Sequence, residues 1–288
     1  MPTAKLYINT LGDGQDIVLL HGWGVNSAVF EPLKQAFSEY RVHYVDLPGF
    51  GDSDPIEGDI HHWAAALATQ LPDNAIWIGW SLGGLIATQV ALTFPTKIKA
   101  LITVASSPCF MARPAEDPLF CASSEPDTIT LASSPCSMAL EADRPKSWPG
   151  IAPQVLAQFS QQLHKNLPKT IERFLAIQAM GSETAKADIQ MIKALVLAKP
   201  LPCEASLQQG LTMLAEVDLR AQLHNIKRPW LRVWGKLDGL VPKNGIAMLI
   251  KAENIEDIML AKASHAPFIS HSSLFIEHIC DWIEAINS

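Results

Sequence analysis

Cysteine is scarce in this sequence, and nothing about it looks paired. Five are spread over 288 residues, at positions 109, 121, 136, 203 and 280, with no C-x-x-C among them. An odd, scattered set argues against a disulfide-stapled scaffold and gives a zinc ion no ligand cluster. Long apolar runs are also missing. No stretch reaches the roughly 20 residues of a membrane span, and the opening MPTAKLYINTLGDGQ has no secretory-type apolar segment. Basic residues are outnumbered, 22 Lys and Arg against 29 Asp and Glu, for a formal charge of -7. Bulk charge therefore favours neither nucleic acid nor an anionic membrane, and an anionic partner would need a local basic patch. The expectation is a soluble, cytoplasmic protein, taken as a monomer. What is abundant is apolar side chain, 48% of the whole, enough for one sizeable globular unit or a core with a large insertion.

Short apolar runs bounded by turn residues recur through the first third. They predict strands at KLYINT, DIVLLHG (16–22), RVHYVDLPG (41–49), AIWIGW (75–80) and IKALITVASS (98–107), with helices over 26–39, 60–70 and 82–94. The pattern returns at PWLRVWG (229–235) and IEDIMLAKA (255–263), followed by a helix over 273–286. Strands alternating with helices imply βαβ units and a parallel sheet covered on both faces, an α/β fold. From about Met111 to Leu219 the reading is helices and loops only. APQVLAQFSQQLHKN and PKTIERFLAIQAMG are helical, the second restarted at Pro168 and stopped at Gly181. The expected organisation is a core of 1–110 and 220–288 interrupted by a helical cap over 111–219.

One stretch of the insertion looks copied. VASSPCFMARPAEDP from Val104 is echoed by LASSPCSMALEADRP from Leu131, with Ala-Ser-Ser-Pro-Cys identical in both. Residues 113–147 read as a tandem-duplication product rich in Ser, Pro and acidic residues, either a mobile surface loop or a lid.

The stretch IWIGWSLGGL sets Ser81 between Gly79 and Gly83, after a strand and before a helix. G-x-S-x-G in that context is the nucleophile elbow, a sharp turn whose crowding demands small neighbours and whose serine Oγ stands above the sheet edge. A serine hydroxyl needs a base. Asp238 in LRVWGKLDGLVP and His265 in MLAKASHAPFISH each follow a strand, in the order serine, acid, histidine, at the same sheet edge. Their rivals read as structural: His271 as a surface or capping residue, Asp46 in VDLPGFGDS as a turn cap at Pro48-Gly49, and His21 as a loop-backbone partner. Oxyanion donors would be the N–H of Leu82 and that of Trp23, in a loop freed by Gly22 and Gly24. The rings of Trp23 and Trp80 would wall an acyl pocket, or serve only as core aromatics.

With those residues in view, the chain resembles the α/β-hydrolases. Within them it is similar to the methyl ester esterases that act on pimeloyl-acyl-carrier protein in biotin synthesis, through LLHGWG, VDLPGFG, AIWIGWSLGGL, TVASSPCF, WPGI, ERFLA, LDGLVP and HAPFISH. The resemblance implies Ser81 as nucleophile, Asp238 and His265 as its partners, and Trp23 and Leu82 as oxyanion donors. It also implies an acyl site including Phe174, Leu175, Ala176, Ile177 and Gln178, release of methanol, and no metal or organic cofactor. Lys169 and Arg173 lie four apart, on one helix face, and could dock an acidic carrier protein. The family's docking positions read Lys169, Arg173, Lys186 and Gln190 here, with Lys193 as a substitute for the charge missing at Gln190. A general short-chain carboxylesterase, a carbon–carbon bond hydrolase and a catalytically idle receptor of the same fold stay open at this point.

Overall fold

The structure is a computed structural model that describes residues 4–115 and 147–288. Most of the duplicated segment, 116–146, lies outside the described residues. Among the described residues, seven strands form one sheet in the order β1-β3-β2-β4-β5-β6-β7. They are β1 (Ile8–Leu11), β2 (Asp16–Leu20), β3 (Arg41–Val45), β4 (Ala75–Trp80), β5 (Ile98–Val104), β6 (Trp230–Gly235) and β7 (Ile255–Leu260). Only β1 runs antiparallel, against β3; the other pairings are parallel. All residues of β4 are buried, as a central parallel strand covered on both faces requires. Helix α1 (Ile60–Gln70) begins at Asp59, whose carboxylate accepts from the His61 and His62 N–H groups. Helix α2 (Leu82–Thr93) follows β4 directly.

The helix expected over 26–39 is instead a 3₁₀ turn, Ser27–Leu33, capped by the Asn26 carboxamide, which accepts from the Ala28 N–H. Pro32 lies inside it. Lacking an N–H and crowding the carbonyl four residues back, it bars an α-helix there. Further turns with irregular spacing, such as Tyr40 N–H to Phe37 O at 3.0 Å, then lead to β3. That strand also ends at Val45, short of 49, because the chain turns off the sheet to wrap around the Asp46 side chain.

Between β5 and β6 come α3 (Pro153–Leu163), α4 (Leu167–Gln178), α5 (Ala185–Val196) and α6 (Glu204–Glu216). Hydrogen bonds tie this segment to the loops at the carboxyl edge of the sheet. Asn26 Nδ2 donates to Val196 O at 2.9 Å, and Cys203 N–H to Gly49 O at 2.9 Å. The flanks of the undescribed stretch meet each other: Arg113 and Trp148 exchange backbone hydrogen bonds at 3.0 and 2.9 Å. After β6 a short helix α7 (Lys243–Ile246) precedes β7, and α8 (Pro267–Ser270) and α9 (Ser272–Asn287) close the chain.

Candidate active site

Ser81 occupies the junction of β4 and α2 with φ +55° and ψ −119°, a conformation that costs a non-glycine residue about 1–3 kcal/mol. Its neighbours hold it there. The Ser81 N–H donates to Val104 O at 3.0 Å, and Ser106 Oγ donates to Ser81 O at 2.8 Å. The glycines are sterically required. A Cβ on Gly79 would fall 2.5 Å from Gly83 O, and one on Gly83 would fall 2.3 Å from Leu20 O. Both are backbone atoms that cannot retreat. A Cβ on Gly84 would meet Ser106 Cβ at 2.5 Å.

Asp238 and His265 come from the turns after β6 and β7, the same carboxyl edge that carries Ser81. His265 Nε2 is 2.8 Å from Ser81 Oγ, and His265 Nδ1 is 2.8 Å from Asp238 Oδ2. The other Asp238 oxygen accepts from the Leu240 and Val241 N–H groups at 2.8 and 3.0 Å, which fixes the carboxylate plane. All three side chains are buried. Leu237 N–H to Ala263 O, 2.9 Å, joins the two turns, and a Cβ on Gly235 would fall 2.0 Å from Ser264 O.

The loop His21-Gly22-Trp23 lies against the serine: a Cβ on Gly22 would be 3.2 Å from Ser81 Cβ. Among the described residues, neither the Trp23 nor the Leu82 backbone N–H has a protein acceptor. Two amides beside one serine hydroxyl, both without an acceptor, are what an oxyanion hole requires. The Trp23 ring packs on Phe174 at a centroid distance of 4.6 Å, and its Nε1 donates to Leu207 O at 2.8 Å. The ring thus joins the loop to α4 and α6.

Helix α4 splits the candidate acyl-site residues between its faces, as a period of 3.6 demands. Ile171, Phe174, Leu175 and Gln178 are buried beneath it, Ile177 is half-buried, and Ala176 is exposed on the outer side. Gln178 O accepts from the His265 N–H at 3.2 Å and from Ser264 Oγ at 3.2 Å. Among the described residues its carboxamide, 1% exposed, has no partner for either Oε1 or Nε2. A buried carboxamide in that state calls for a partner, an ordered water or a bound ligand. On the outer side, Gln162, Lys165, Lys169, Arg173, Ala176 and Lys193 line a groove of about 590 Å³. Lys186 is exposed but lies outside that lining. Lys193 Nζ is paired with Glu172 at 2.9 Å, which offsets the charge it was expected to restore. Lys165 was not singled out in the sequence, although 165, 169 and 173 form a visible row of basic residues at four-residue spacing.

The rivals are elsewhere. His271 Nδ1 contacts Ser270 Oγ at 2.9 Å. His21 bonds loop backbone through both ring nitrogens. Asp46 does more than cap a turn. It accepts from the Ser27 and Asp52 N–H groups at 2.8 and 3.0 Å and pairs with Lys199 at 2.7 Å. Burial pushes its carboxyl up, but His21, the Asp52 N–H, Lys199 and Ser27 together hold it below the usual carboxylate value. Lys199 thereby pins the segment after α5 to the end of β3. Trp80 is fully buried, and its Nε1 donates to His265 O at 2.7 Å, so its indole anchors the histidine turn. Neither link had a sequence signal, since both partners are distant in the chain. Among the described residues no group of three or more His, Cys, Asp or Glu is placed to hold a metal.

The alpha/beta hydrolase fold family model matches residues 17–272. The chain belongs to that family. It is similar to the pimeloyl-[acyl-carrier protein] methyl ester esterase of Shewanella oneidensis, 56% identical over 278 residues, which cover 96% of this chain and 94% of that protein. The protein of the same description from Photobacterium profundum is 43% identical over 98% of this chain and all of its own length. Among solved structures, an esterase from Exiguobacterium antarcticum superposes with a TM-score of 0.76 at 21% identity, covering 99% of this chain and 96% of that one; that likeness bears on the fold alone. These matches run through the helices between β5 and β6, so the α/β-hydrolase described here includes them as part of the shared chain.

Proposed function

We propose that this protein is a serine carboxylesterase that hydrolyses the methyl ester of pimeloyl-acyl-carrier protein, releasing methanol, in biotin synthesis. The observation that carries the reading is the buried relay from Ser81 Oγ to His265 to Asp238, two contacts of 2.8 Å each. Relatives 42–57% identical with that name direct it to this substrate.

In this reading His265 Nε2 takes the Ser81 proton as Oγ attacks the ester carbonyl, and Asp238 holds the imidazole and stabilises its charged form. The oxyanion is held by the Trp23 and Leu82 N–H groups, each worth roughly 3 kcal/mol of barrier. The proton passes from His265 to the methoxide leaving group. Water then enters by the same route and frees the acyl chain. Residues 111–219 act as a cap whose inner face, Phe174, Leu175 and Ile171, shields the acyl methylenes. The Gln178 carboxamide serves the ester or the attacking water. Ala176 lines the outer groove, where Lys169 and Arg173, joined by Lys165, receive the acidic carrier; Lys186 supplies charge nearby. No helix among the described residues is long and apolar enough to cross a membrane. The proposed reading has the enzyme act on a carrier protein in the cytoplasm, as a monomer without a cofactor.

The test is methanol release from pimeloyl-acyl-carrier-protein methyl ester. Wild type should turn over, and Ser81→Ala should lose at least about 10³-fold. Cleavage of short free esters with the carrier-bound ester left intact would keep the esterase and refute the carrier assignment.

A further inference from the structure

We propose that His21 is a positioning residue: its Nδ1–H holds the carbonyl of the Gly22–Trp23 peptide and so aims that peptide's N–H at the oxyanion above Ser81. The proposal rests on the esterase reading above and on Trp23 as an oxyanion donor.

The geometry leaves one arrangement of protons. The Leu47 N–H lies 2.9 Å from His21 Nε2, and a backbone amide can only donate, so Nε2 is an acceptor. The ring hydrogen is then on Nδ1, which lies 2.8 Å from Gly22 O. Burial drives the imidazole pKa down to about 4, outweighing the attraction of Asp46. The ring is therefore neutral, in a single tautomer, over the working range. The Phe50 ring packs on it at 5.4 Å.

Gly22 O and the Trp23 N–H belong to one planar trans peptide, so they point in opposite directions. Fixing the carbonyl fixes the amide. The carbonyl is turned inward to His21. Among the described residues the amide has no protein acceptor, and its loop touches the serine at Gly22. A hydrogen bond to the carbonyl also polarises the peptide and makes its N–H a better donor. The far end of the loop is fixed separately, by the Ser27 N–H to Asp46 at 2.8 Å. Among the described residues, the His21–Gly22 bond is thus the one side-chain hydrogen bond on the peptide that carries the donor.

A purely structural role would tie the loop to Leu47 and no more. Two substitutions separate the roles. His21→Asn places an amide nitrogen where Nδ1 sits and can donate to Gly22 O, but it cannot reach Leu47. His21→Gln extends a carbonyl toward Leu47 and loses the bond to Gly22. On p-nitrophenyl butyrate, kcat should stay within about threefold of wild type in His21→Asn and fall roughly 10- to 100-fold in His21→Gln, with KM little changed in both. A boronic acid, which mimics the tetrahedral oxyanion, should lose affinity in the same proportion in His21→Gln. Equal losses in the two variants, or activity kept in Gln and lost in Asn, would overturn the proposal. Should neither variant fold, wild type labelled with ¹⁵N-histidine and ¹³C-glycine still decides: a hydrogen-bond coupling between His21 Nδ1–H and the Gly22 carbonyl supports the assignment, and its absence or an Nε2–H tautomer refutes it. A wild-type protein that cleaves no ester brings down the esterase reading, and this proposal with it.

Discussion

A methyl group on Gly83 would fall 2.3 Å from Leu20 O and 2.6 Å from His21 O. Gly83→Ala should therefore force β2 away from α2 and cost about 2–4 kcal/mol. Gly239→Ala is the control. A Cβ there meets nothing within 4 Å, and its effect should stay within about 0.5 kcal/mol. Urea denaturation checks both. His21 makes a second prediction, about pH. Its folded pKa of about 4 lies below the ordinary 6.5, so the unfolded chain binds a proton that the folded chain refuses. Stability from this group is complete above pH 6.5 and is lost as pH falls toward 4, by about 2–3 kcal/mol at pH 4.5. The charges facing the ring, Asp46 and Lys199, remain in place in His21→Asn. The stability difference between wild type and that variant should accordingly narrow on going from pH 7 to 4.5. Asp46, held low, loses its own contribution only at more acidic pH, as it protonates.

At the scale of elements, the described residues on either side of 116–146 are tied to each other. Arg113 and Trp148 pair backbone to backbone, and Arg113 Nη2 reaches Ala215 O at the end of α6, 3.0 Å away. Loop length adds little to closure cost, about 0.6 kcal/mol per doubling. Replacing residues 116–146 by a short glycine-containing turn should leave the melting temperature unchanged or higher, and free-ester hydrolysis within about threefold. The row of Lys165, Lys169 and Arg173 belongs to this scale too. Lys169→Glu combined with Arg173→Glu should lower kcat/KM for the carrier-bound ester about 10- to 100-fold at low ionic strength, less at high salt, and leave small esters unaffected.

For the whole molecule, the sheet and the order of its strands' turns were legible because parallel strands buried on both faces announce themselves as apolar runs. Ser81, Asp238 and His265 stood out because each follows such a run. Pro32 was in plain view, yet the apolar period around it still suggested a helix, and a 3₁₀ turn satisfies the same burial. The basic row at 165, 169 and 173 could have been read; the Lys193–Glu172 pair that weakens its neighbour could not, since it joins two helices. Nor could the links of Trp80 to His265, Lys199 to Asp46, or Gln178 to the histidine turn, each made across the gap between segments far apart in the chain. Local pattern picks out the candidate residues, while the contacts that hold them are a property of the packed whole.

The most direct test of the account is labelling by a fluorophosphonate, which reacts with a serine only where a base activates it. One adduct per chain is predicted, on the peptide containing Ser81, absent in Ser81→Ala, slowed in His265→Gln, and accompanied by complete loss of ester hydrolysis. No adduct on Ser81, or full labelling with hydrolysis intact, would contradict the account.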